Sequence, residues 1–298
     1  MQKTLLIFTF LIFTISSCTR LPYKKGRDLS LYLQKKTASQ EPIDWKLIWE
    51  ENFNDINEKY WSKLDIYETE RLNKMMDTVS IHRDNWRNHV NSWASYMSSK
   101  NAETVQVREG LLYLKALKNP DTTGWDNRPY HTGGLWSKNK LAFQYGRLEI
   151  RAKLEGAHGA WPALWLIPQF GIYPDQNNGE MDIIERLNFD PFVYQTIHSP
   201  WNLQLKQEEP QRFVKSEFNQ EEFNLYWVEW GSDFIRFGVN EKTQLRYKKI
   251  PGGGTFQWPF DQPFFIILSQ QLEGWPGKVT NPEELPIDMV IDYVRLYQ

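Results

Sequence analysis

A chain of 298 residues in which 41% are hydrophobic can bury a sizeable core, which excludes a disordered polymer. The formal net charge of -2, with no Lys/Arg-rich run, excludes the basic surface that a nucleic-acid partner needs. Aromatic residues make up 15% of the chain, with 14 Trp; this suits either strands rich in aromatics or a surface whose indoles pack flat on apolar ring faces of a ligand.

The amino terminus reads as an address. Lys3 gives a short positive region and Leu5 to Ile15 an apolar run too short to span a bilayer. The run ends Ile15-Ser16-Ser17-Cys18, which resembles the lipobox of bacterial lipoproteins, and Cys18 is the only cysteine. This predicts a lipoprotein signal peptide over residues 1–17, lipidation at Cys18, and a membrane partner through the lipid. The location would be the periplasmic face or the outer cell surface of a bacterial outer membrane. An ordinary signal peptide with a spare Cys is the alternative. Residues 18–44, with Lys24, Lys25, Lys35 and Lys36, read as a lipidated tether in which Leu29 to Leu33 could form a helical turn.

From Trp45 the apolar pattern has a period of two. In Gly146 to Leu154, Arg147, Glu149, Arg151 and Lys153 alternate with Leu148, Ile150, Ala152 and Leu154, as a half-buried strand requires. Further strands are expected over Trp161 to Pro168, Glu180 to Arg186, Phe223 to Trp230, Phe264 to Leu272 and Met289 to Tyr297. Turn-forming runs separate them, including Pro174 to Gly179 and Pro251 to Gly254. Long helical stripes are absent. Many short strands with regular turns predict an all-β sandwich or jelly roll.

The third of these strands carries Glu180, Asp182 and Glu185. Glu180 and Asp182 share a face by strand parity. Glu185, five residues from Glu180, would point the wrong way unless a β-bulge at Ile183-Ile184 inserts one residue. All three acids then line one surface, and so close together they cannot all ionise freely. Two carboxylates in this arrangement suit retaining glycoside hydrolysis, which needs them about 5–5.5 Å apart. Acidic spacing alone is a weak signal in a chain with 37 Asp and Glu, and a solvated acidic strand face would look the same.

The surrounding residues sharpen the reading. The Glu-x-Asp-x-x-Glu motif at Glu180, Asp182 and Glu185 resembles glycoside hydrolase family 16, in its bulge-containing branch of laminarinase-like glucanases, agarases, carrageenases and endo-β-galactosidases. Phe143 to Lys153, Trp161 to Leu166, Thr196-Ile197-His198 and Ile291 to Tyr297 resemble family segments in the same order, so the resemblance covers residues 45–298. It implies a β-jelly-roll sandwich of two antiparallel sheets with a concave substrate cleft. It also implies Glu180 as nucleophile, Glu185 as acid/base and Asp182 as the group tuning them. The expected partner is a β-linked polysaccharide or glycan, cut by a protein acting as a monomer.

Trp161 and Trp165 lie four apart on one strand and so share a face, as a sugar platform or as two core indoles. Trp136 and Trp275 are further candidates for sugar stacking. His198 would neighbour the acidic strand, where an imidazole can hydrogen-bond a carboxylate, although a lone His on an apolar strand is more commonly a core residue. No cofactor is required for this chemistry, and the five His show no zinc-ligand spacing. The resemblance implies a possible structural calcium ion near Asp292, but Asn52 stands where the family usually has an acid.

Substrate is less sharply marked. Asn91 to Tyr96 lacks the acid and amide usual in laminarinase-like members, and Ser269 to Gly277 departs from their Gly-Gly version. Glu185 to Asn188 and Tyr194 to Ser199 look more like the lipoprotein branch acting on galactose-containing glycans. The expectation is therefore an endo-β-galactosidase or O-glycanase type. An endo-β-1,3(4)-glucanase is the alternative, and a non-catalytic glycan-binding lipoprotein stands further off because both glutamates are present.

Overall fold

The computed structural model describes residues 32–34, 44–66, 93–123, 126–170 and 179–298. Residues 1–17, Cys18, most of the tether, Asn91, Ser92 and the turn residues 171–178 lie outside the described residues.

The described strands form two sheets, antiparallel apart from one edge pair. The first runs in the order β1 (Tyr32–Gln34), β8 (Ala142–Gln144), β17 (Phe264–Leu272), β10 (Ala160–Pro168), β11 (Glu180–Glu185), β12 (Phe192–His198), β13 (Phe213–Glu217). Two short strands, β3 (Ser62–Lys63) and β7 (Gly134–Trp136), attach beside β17. The second runs β16 (Lys242–Lys248), β15 (Phe234–Val239), β14 (Asn224–Trp230), β9 (Gly146–Leu154), β18 (Ile287–Tyr297), β5 (Leu111–Lys118), β4 (Val105–Arg108). In that sheet β2 (Leu47–Glu51) pairs with β18, and β6 (Tyr130–Thr132) pairs with β5. The expected strands all form, two of them with the boundaries anticipated. One reading is corrected: Tyr32–Gln34, inside the expected tether and overlapping its helical turn, is extended and pairs in parallel with β8. An open strand edge offers unpaired backbone groups, and a passing segment satisfies them by pairing.

Alternation builds the core between the sheets. Leu148, Ile150, Ala152 and Leu154 of β9 face Leu164 and Leu166 of β10, Ile266 and Leu268 of β17, and Met181, Ile183 and Ile184 of β11 in one cluster. A second cluster lies on the other, outer face of the first sheet, where Trp136, Ala163, Trp165, Ile167, Phe265 and Ile267 pack with Leu64, Ala94 and Met97. That outer face is therefore closed at one end and open to the acids at the other. Among the described residues no helix is long and apolar enough to cross a membrane.

Candidate active site

The bulge forms where parity required it. Asp182 pairs with Thr196 and Glu185 with Tyr194, so three steps along β11 oppose two along β12. On the other side Trp165 faces Asp182 and Leu164 faces Ile184, which leaves Ile183 as the extra residue. Both Ile183 and Ile184 are fully buried in the central core, each contributing roughly 1.5–3 kcal/mol of apolar burial that holds the irregular backbone in place. The carbonyl left over by the bulge, that of Ile183, accepts a 2.8 Å hydrogen bond from Gln195 Nε2, and Ser216 Oγ donates to Gln195 Oε1 at 2.8 Å. Gly179 sets the entry: its φ of +79° is left-handed, and a Cβ there would lie 2.7 Å from Pro259 Cγ and 2.9 Å from Phe260 Cε1.

The three acids and His198 meet on the outer face. His198 Nε2 lies 3.1 Å from Asp182 Oδ2 and 3.8 Å from Glu180 Oε1, because Glu180 and His198 are register partners. Ligand atoms of Glu180, Asp182 and His198 fall within 4.8 Å of one another, a spacing that would also suit a cation. Trp161 Nε1 donates to Glu185 Oε1 at 2.8 Å.

Burial sets the protonation of this group. The Glu180 side chain is 29% exposed, whereas Asp182 and Glu185 are buried, Glu185 at 8%. Desolvation, and then the Asp182 charge, raise both glutamates; desolvation raises Asp182 itself. All three are pushed up to about 8, and at Glu185 the Trp161 hydrogen bond pulls the other way. His198 acts against the rise at both glutamates. The trio titrates as a coupled set that holds at least one proton near neutral pH.

The aromatic residues divide differently from the sequence reading. Trp161 is half-buried and stands beside Glu185, with Trp275 edge-on to it at 6.2 Å and 53% exposed. Tyr194, which the sequence reading passed over, lies 4.9 Å from Trp275 and pairs with Glu185 across the strands. Its signal was available: an aromatic at an outward position of β12 opposite a catalytic-type acid. Trp165 and Trp136 are corrected from sugar platform to core. Each is only 5% exposed in the outer-face cluster, and Trp93 meets the Trp165 ring edge-on at 4.9 Å. Trp165 Nε1 donates to Ser269 Oγ at 3.1 Å, within the sheet. Parity placed Trp165 on the right face, but the segment around Trp93 to Met97 covers that end of it.

The loop carrying Trp275 is tied to the turn that follows β11. Asn188 Nδ2 donates to the Pro276 carbonyl at 3.1 Å, and the Gly159 N–H donates to Asn188 Oδ1 at 2.7 Å. At the loop's start the Glu273 carboxylate accepts from Tyr96 Oη and Lys278 Nζ, both at 2.7 Å. The two side chains expected at a calcium ion offer it little charge. The Asp292 carboxylate is paired with the Arg151 guanidinium, and Asn52 is exposed and brings no charge. One already neutralised carboxylate and an amide are a poor donor set for a hard divalent cation.

A two-sheet antiparallel sandwich that presents paired carboxylates among ring-stacking aromatics on one sheet face has the build of a glycoside hydrolase. Residues 91–295 match the family described as Glycosyl hydrolases family 16, and the chain belongs to that family. It is 34% identical over 263 residues to a keratan-sulfate endo-1,4-beta-galactosidase from Sphingobacterium multivorum, covering 86% of this chain and 56% of that protein. The chain thus spans little more than half of that relative. A beta-glucanase from Rhodothermus marinus is 29% identical, with 87% of each chain covered. Among solved structures, a non-specific endo-beta-1,3(4)-glucanase of the same family superposes with a TM-score of 0.70 at 28% identity, over 86% of this chain and 92% of that one.

Proposed function

We propose that the chain is a retaining endo-β-glycosidase in which Glu180 is the nucleophile and Glu185 the acid/base. The observation that carries this is the Ile183 bulge, which turns both glutamates to one face beside Trp161 and Trp275. Exposure divides the roles. Glu180 keeps contact with solvent, where it can meet the sugar, and His198 at 3.8 Å favours its carboxylate form against the rise that burial causes. Glu185 is closed off from the surface, and burial with the neighbouring Asp182 charge favours its protonated form.

A Glu180 carboxylate oxygen attacks the anomeric carbon while Glu185 gives its proton to the departing glycosidic oxygen. The bond to the leaving saccharide breaks and a glycosyl ester on Glu180 forms. Glu185, now a carboxylate, takes a proton from water, whose oxygen displaces Glu180 and regenerates the β configuration. Asp182 raises both glutamates by its charge, which keeps Glu185 a competent acid near neutral pH. His198, at ion-pair distance from Asp182, limits that rise.

The preferred substrate class is a galactose-containing β-linked glycan. The 34% identity to a keratan-sulfate endo-1,4-beta-galactosidase supports it. The similarity to a non-specific endo-beta-1,3(4)-glucanase favours β-glucan as the second reading. Digestion of keratan, agarose-type galactans, mucin-type O-glycans, laminarin and mixed-linkage β-glucan, with oligosaccharide products identified, separates the two. Release from galactans alone supports the first; release from β-glucans alone replaces it. The leader ending at Cys18 would hold the enzyme on a membrane surface, and Cys18→Ala should then move it to the soluble fraction.

A further inference from the structure

The outer face continues past the catalytic strand. Directly paired residues of antiparallel strands point to the same side, and the row Glu185, Tyr194, Lys215 crosses β11, β12 and β13 in that way. An unbroken aromatic path accompanies it: Trp161 on Glu185, Trp275 on Trp161, Tyr194 on Trp275. At its far end the Lys215 ammonium lies 4.4 Å from the centre of the Phe192 ring and 5.3 Å from that of Tyr194. Lys215 is exposed and has no carboxylate partner among the described residues. Two aromatic faces thus hold a cation in place without neutralising it.

Carboxylates flank it on both sides. Glu185 and Tyr194-bound Asp190 lie toward the catalytic strand, and Glu217 is two residues along β13. An anionic group on the reacting sugar would be repelled by the acids of β11. Two strands away, about 10 Å across the sheet, Lys215 reverses the local sign. We infer that Lys215 forms a subsite for an anionic substituent, a sulfate ester or a carboxylate, on a sugar bound beyond the catalytic strand; this rests on the endo-glycosidase reading above.

A lysine on an edge strand also discourages strand addition, and β13 ends its sheet. Lys215→Glu keeps the edge strand charged but reverses the sign seen by substrate, so it separates the two roles. The measurement is the ratio of kcat/KM on keratan sulfate to kcat/KM on chemically desulfated keratan. If only β-glucan is cut, laminarin sulfate and laminarin are the pair. The pair that is cleaved reports on the galactose reading, and the ratio reports on Lys215. The ratio should fall about three- to fivefold in Lys215→Ala at low salt, and further in Lys215→Glu. Lys215→Arg should retain it, and salt near 1 M should shrink the wild-type ratio. A C6-carboxylated form of the cleaved polymer shows whether any anion or only sulfate is read. Retardation of the same variants in gels containing keratan sulfate or laminarin sulfate, each against its neutral form, gives the comparison without turnover. Ratios unchanged in both Lys215→Ala and Lys215→Glu overturn the inference.

Discussion

Replacing Trp161 by Phe removes one hydrogen bond and keeps a ring beside Trp275. The lost donor is the indole N–H that lies 2.8 Å from Glu185 Oε1. A hydrogen bond to a charged acceptor contributes about 1.5–3 kcal/mol, and about 1.4 kcal/mol corresponds to one pKa unit. Trp161 is half-buried, so water can partly replace its N–H, and the lower end applies. The bond favours the charged carboxylate, so its loss favours the proton. Glu185 must be protonated to expel the leaving group, and its deprotonation sets the alkaline limb of kcat/KM. That limb should therefore move up by roughly one pH unit in Trp161→Phe. Initial rates on a soluble oligosaccharide between pH 5 and about pH 10 read it directly. A limb that stays in place, or moves down, would refute the coupling between Trp161 and the acid/base.

Asp182→Asn should shift the same limb the other way, because the Asp182 charge raises both glutamates; an upward shift in the same rate measurements would contradict this. Glu185→Gln should protect the fold at alkaline pH. Glu185 is raised from 4.5 to about 8 in the folded chain, so its stabilising contribution is complete below pH 4.5 and lost as pH rises through 8. Thermal melting across that window should show a smaller decline for the variant, with each 1 kcal/mol appearing as about 2–4 °C. Trp165→Ala should lower stability by about 3–5 kcal/mol, as a core truncation does. Trp275→Ala should leave the melting temperature nearly unchanged while weakening long substrates about tenfold; the reverse pattern in melting and kinetics would exchange the two indoles' roles.

Face assignment was legible in the sequence, and depth was not. Alternation in Gly146–Leu154 set that strand's boundaries and its buried side. The odd spacing from Glu180 to Glu185 required one inserted residue, and the structure supplies Ile183. His198 among the acids followed from strand order. Trp165 shows the limit: parity fixes which side a residue points to, but the cover over it comes from Trp93, distant in sequence. Gln195 left a signal that went unused, a polar residue at a core-facing position of an otherwise apolar alternation. Its partner, the bulge carbonyl of Ile183, belongs to the neighbouring strand, so its purpose emerges only with the register. Tyr32–Gln34 joins its sheet by edge pairing of the backbone, which residue patterns do not encode.

The central claim is that Glu180 and Glu185, brought to one face by the bulge, perform a double displacement. Proton NMR of the digest in its first minutes, before mutarotation, tests it most directly. The β anomer of the new reducing end should appear first, with the α anomer growing in later. An initial α anomer would mean that water attacks in a single displacement, which contradicts Glu180 as nucleophile.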